Sequence, residues 1–131
     1  MGAGRFLRLA WAAPWSLAGL SLAPFFRRTS WRAGVIVCEE AEWPARLGWR
    51  YRAVALGHVV LSIDELDEAI LRHELAHVRQ YESWGPFFPA VYALESLKTM
   101  GRGGHPYRDN AFEIEARRAE AGGRGPSPVK N

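Results

Sequence analysis

A single cysteine in 131 residues sets the first limit on this chain. Cys38 has no partner within the sequence, which excludes an internal disulfide framework and a cysteine-rich zinc ribbon. It ends a short β-branched run at residues 34–38, where a small buried hydrophobe is the natural role. Excess charge is scarce too. The formal net charge is +3, carried by scattered arginines rather than by a basic stripe interleaved with aromatics. No nucleic-acid module is recognisable, so nucleic acid is not expected as a partner. Internal repeats are absent. Hydrophobic residues are not scarce: at 48% they exclude wholesale disorder. The length suits one domain with a modest core, so a bound metal would matter to its stability.

A long, clean hydrophobic run is also missing. Residues 9–26 carry no charge, with Arg5 and Arg8 before them and Arg27, Arg28 and Arg32 after. The stretch only just reaches the length of a membrane span, and Pro14, Ser16, Ser21 and Pro24 interrupt it. As a cleaved leader it offers a small-residue site at Ser21 and Ala23, spoiled by Pro24. An interfacial helix anchored by Trp11 and Trp15 tolerates all of these features. Residues 1–30 are therefore expected to be a membrane-associated segment. The alternative is a helix packed on a cytoplasmic domain.

Two strand-like runs follow, at 34–38 and 51–61, the second with Gly57 as a bulge or a point of close approach. Residues 42–48, with Pro44 and Gly48, read as a hairpin connection between them. Ser62 and Glu65 match a capping box, predicting a long helix that Gly85 and Pro86 end at Trp84. Residues 87–99 carry Glu95 and Lys98 within an apolar pattern and read as a partly buried helix. A third helix runs from near Asn110 to Gly122, and residues 122–131 form a flexible tail. The fold class is α+β: a short antiparallel sheet packed on the long helix, closed by one or two C-terminal helices, over 31–121.

The long helix contains His73-Glu74-Leu75-Ala76-His77. Residues i and i+4 leave one face of a helix, so the two imidazoles converge on one ion. The carboxylate after the first histidine stands beside that ion and can take a proton from water. At 100° per residue, Glu74 falls inside the helix's apolar arc, with His73 and His77 at its edge. A carboxylate there carries a desolvation penalty that a cation offsets. The plain alternative is two structurally satisfied histidines and a glutamate that reaches solvent. A catalytic site needs a third protein ligand, and His105, Asp109, Glu113 and Glu115 are the candidates downstream.

HELAH followed by a later helix with Glu113-Ile114-Glu115-Ala116 resembles the gluzincin metallopeptidases, in which the third ligand is a glutamate in an E-x-x-A context. The segments HELAHVRQYESWGPFFPAVY and HPYRDNAFEIEA are similar to short bacterial HExxH proteins with an apolar N-terminal segment, a likeness covering residues 15–117. The resemblance implies a minimal zincin-like fold, Zn2+ held by His73, His77 and Glu113, Glu74 as general base, and a peptide or protein as substrate. It also implies that an extended substrate pairs with an edge strand, for which residues 55–60 are placed. That run reads equally as a core strand, and His58 is not expected to be a ligand. Where many gluzincins carry an aspartate after E-x-x-A to orient a ligand histidine, this chain has Arg117, leaving Asp109 as the candidate for that task. Glu113 has a competing role, since Asn110 and Glu113 form a capping-box pattern. His105 is a candidate oxyanion donor or metal ligand, or simply an exposed loop residue, and Tyr107 is a second candidate oxyanion donor. The functional expectation is a zinc-dependent peptidase. The alternative is a non-catalytic, zinc-stabilised module that binds a membrane or a partner.

Overall fold

A computed structural model describes residues 2–48 and 52–122. The elements are α1 (Ala3–Leu22), β1 (Arg28–Arg32), β2 (Val35–Glu39), the single turn α2 (Trp43–Arg46), β3 (Ala53–Leu56), β4 (Val59–Ser62), α3 (Glu68–Trp84), α4 (Phe88–Gly101) and α5 (Ala111–Glu120). The fold class is α+β. The four strands form one sheet in the order β1-β2-β4-β3.

That sheet is mixed, not antiparallel as expected, because β2 and β4 run parallel at its centre. A parallel pair needs a crossover. Residues 42–48 begin that crossover, with α2 inside it, instead of closing a hairpin. The expected strand over 51–61 is two strands: Gly57, at φ +61°, sits in the β3–β4 turn rather than in a bulge. It is the expected point of close approach, where an added Cβ would stand 2.5 Å from the backbone nitrogen of Ser16. Tyr51, where that run was expected to start, lies outside the described residues. β1 went unforeseen because its Arg-Thr-Ser-Trp-Arg sequence is exposed along most of its length and shows no alternation. It pairs with β2 through a turn at Ala33 and Gly34, both at positive φ.

The two central strands are apolar on both faces, as a sheet covered on both sides requires. Val35, Val37 and Val60 pack with Leu66, Leu71 and Val78 on the α3 side. Cys38, Val59 and Leu61 meet Leu22 and Phe26 on the other. α1 approaches that second face closely at Gly19, where an added Cβ would stand 2.7 Å from the Cβ of Val59. No helix among the described residues is long and apolar enough to cross a membrane.

The helix carrying the histidines begins later than the sequence suggests. Ser62 ends β4, and its hydroxyl donates to the carbonyl of Asp64 at 2.7 Å. Asp67 is the actual N-cap, accepting the N–H of Ile70 at 2.8 Å. The strand claimed Ser62 first, so the Ser62/Glu65 box does not form. At the other end Gly85, at φ +62°, stops the helix as expected.

Candidate metal centre

His73 and His77 project from α3, and Glu113 reaches them from α5. α5 packs on α3, and Ala116, one turn after Glu113, is fully buried with no side chain beyond Cβ. The Nε2 atoms of His73 and His77 lie 3.1 Å and 3.3 Å from the same oxygen, Oε1 of Glu113. One donor atom from each residue fits within 4.8 Å of the other two, and all three residues are buried.

The outer contacts fix what those inner atoms can be. The amide nitrogen of Gln80 donates to the carbonyl of Phe112 (3.1 Å) and to the Glu115 carboxylate (2.6 Å). Neither partner can donate, so the amide oxygen of Gln80 must be the atom facing Nδ1 of His77 at 2.8 Å. His77 therefore carries its proton on Nδ1. His73 is held the same way by Oε1 of Glu120, 2.9 Å from its Nδ1. With both Nδ1 atoms donating outward, neutral imidazoles turn two Nε2 lone pairs toward a carboxylate oxygen. Three acceptors at such distances repel unless a proton or a metal cation lies among them. The donor set of two imidazole nitrogens and one carboxylate oxygen, braced by outer hydrogen bonds, fits a borderline transition ion such as zinc.

Electrostatics follow from the same contacts. Burial lowers the pKa of both histidines. It is outweighed by the Glu113 and Glu74 carboxylates, joined by Glu120 at His73 and by Gln80 at His77, so both stay above the usual imidazole value. Burial raises Glu113, but in the protonated state of the site hydrogen bonds from His73, His77 and the Tyr92 hydroxyl (2.6 Å) hold it well below the ordinary carboxylate range. Glu74 moves up, mainly through burial, with the two histidines only partly offsetting it.

A cavity of about 270 Å³ opens over this group. One wall is Ala53, Val54 and Ala55 of β3; another is aromatic, from Tyr81, Phe88 and Tyr92; Glu74 and Tyr107 also line it. The expected substrate strand at 55–60 is thus divided. Val59 and Val60 are core residues of a central strand, whereas β3 is the sheet edge beside the histidines. The Arg52 carbonyl accepts from Ile63 across the β3–β4 pair at 3.0 Å. Antiparallel alternation then turns the backbone N–H and C=O of Ala53 and Ala55 to the outer edge.

Of the four candidates for a third ligand, only Glu113 faces both imidazoles. Glu115 bonds Gln80. His105 is an exposed loop residue whose Nδ1 accepts the N–H groups of Tyr107 and Arg108. Asp109 accepts the N–H of His105 at 2.8 Å and so does not orient a histidine, because it is spent on closing its own loop. The capping box at Asn110 is half formed: Asn110 accepts the N–H of Phe112, while the Glu113 carboxylate turns to the histidines instead. His58 lies apart, its Nε2 2.7 Å from Glu82. Sequence reasoning missed Gln80, Glu120 and Tyr92. Gln80 stands three residues after His77, and Glu120 seven after Glu113, spacings that share a helix face. Tyr92 had no such signal, because α4 brings it in by tertiary packing. Comparison with protein-family models, curated proteins and solved structures finds no match for this chain.

Proposed function

We propose that the protein is a zinc-dependent metallohydrolase, a peptidase, with zinc held by His73, His77 and Glu113. The observation that carries this reading is the convergence of two outward-protonated imidazoles and one carboxylate on a single buried point. Oxygen-seeking ions such as Ca²⁺ and Mg²⁺ are poorly served by two nitrogens, which favours zinc. Zinc bound there supplies Lewis acidity, lowering the pKa of water and polarising a carbonyl. Glu74, buried beside both histidines, takes the proton from the attacking water and returns it to the leaving amide nitrogen. The outer edge of β3 at Ala53 and Ala55 holds an extended peptide by backbone pairing. Tyr107, at the cavity wall, is the candidate donor to the developing oxyanion.

Glu74→Gln tests the assignment, since it preserves shape and removes the base. Zinc content is expected to stay at the wild-type level, while cleavage of a mixed peptide library falls by at least about 100-fold. Undiminished cleavage in that variant contradicts the mechanism.

A second reading, a non-catalytic zinc-stabilised module, is favoured by the cavity's size. About 270 Å³ lies just under the usual range for small-molecule pockets, roughly 300–1,000 Å³. Firm zinc binding with no cleavage of any library peptide selects this reading. In either case we place the protein at a membrane surface, on the strength of the uncharged, outward-facing residues of α1.

A further inference from the structure

The outward face of α1 is uncharged from Leu9 to the helix end, and its large residues lie open to solvent. Leu17 is 65% exposed and Leu20 39%. Such a face on a domain-packed helix is unusual, because solvent faces ordinarily carry charge. α4 repeats the pattern: Leu94 and Leu97 are 64% and 60% exposed. The two faces meet where the Trp11 ring packs edge-on against Phe87, itself exposed, at 6.0 Å between centroids.

We infer that the outward faces of α1 and α4, joined at Trp11 and Phe87, form one docking surface for an anionic lipid bilayer. The inference rests on the membrane-surface reading above and is independent of peptidase activity. Three observations select lipid as the occupant. α1 carries Arg5 and Arg8 in its first turns and no aspartate or glutamate, a charge balance that suits anionic headgroups. Trp11 and Trp84 are exposed near the junction, where indoles favour the boundary between acyl chains and headgroups. The outward turns of α1 after Arg8 also lack the charged and hydrogen-bonding rim that a protein partner uses.

The geometry decides how the surface engages. α1 cannot leave the domain to span a bilayer, because Ala12 is fully buried and Gly19 presses on Val59. It therefore lies in the membrane plane with only its outer side immersed.

Co-sedimentation of the full chain with phosphatidylcholine vesicles, with and without phosphatidylglycerol, tests the inference. Leu17→Asp and Leu97→Asp probe the two helices, and Trp31→Asp probes an exposed aromatic on the opposite edge of the sheet. The wild type is expected to prefer anionic vesicles. Each leucine variant is expected to weaken partitioning by at least about tenfold, with zinc content and circular dichroism unchanged, while Trp31→Asp binds normally. Wild-type binding that survives both leucine substitutions overturns this surface but leaves membrane association standing. Absence of wild-type binding to either vesicle overturns the association itself. Loss of a wild-type oligomer in the leucine variants, without vesicle binding, shows instead that the face joins copies of the chain.

Discussion

His77 owes its tautomer to Gln80, and Gln80 owes its orientation to Phe112 and Glu115. A chain of three hydrogen bonds thus decides which imidazole nitrogen looks inward. Removing an outer partner leaves the inner donor set intact but unbraced. Gln80→Ala and Glu120→Ala are each expected to weaken zinc affinity by about 10–100-fold, measured by competition with a chromophoric chelator, while the fold persists. Wild-type affinity in both would show that the outer contacts orient nothing. Cys38 gives a pH-dependent counterpart far from this site. Burial pushes its thiol up, with the Thr29 hydroxyl only partly offsetting it. The unfolded chain ionises this thiol first, so stability falls as pH rises through the ordinary thiol range of about 8–9. Urea midpoints at pH 7 and pH 10 should therefore differ less in Cys38→Ala than in the wild type. An equal drop in both assigns the loss to other groups. In the sequence, the histidine pair and Glu74 are legible because one helical turn dictates their spacing. Tyr92 is not, since nothing local ties it to Glu113.

Among the elements, α1 approaches β4 closely. Gly19 permits it, and a methyl group added there enters the Val59 side chain. Gly19→Ala is expected to cost about 1–3 kcal/mol, read from the shift in denaturation midpoint. A neutral result means that α1 packs more loosely than Ala12 and Gly19 imply. The stop of α3 was readable from Gly85 and Pro86, and the start of α5 from Asn110. The start of α3 was not, because Ser62 and Glu65 mimic a cap while Ser62 belongs to a strand. Strand direction was equally hidden. The parallel pairing of β2 with β4 depends on a crossover, and apolar pattern alone does not encode it. β3 and β4 merged into one apparent strand because Gly57 serves a tight turn as well as it serves a bulge.

At the scale of the whole molecule, the sheet and α1 hold α3, and α5 closes on α3 to bring Glu113 over the histidines. The first helix, α4 and the edge strand β3 then shape what surrounds that point: an apolar outer surface, an aromatic wall and a backbone edge. A core this small would gain from an ion that tied α3 to α5. The proposed function depends on those three side chains binding one ion together. The direct test is the metal content of purified, zinc-reconstituted full chain beside His73→Ala, His77→Ala and Glu113→Ala. About one zinc per wild-type chain is predicted, with each substitution lowering affinity steeply. A metal-free wild type, or a Glu113→Ala variant that binds zinc as tightly as the wild type, would contradict it.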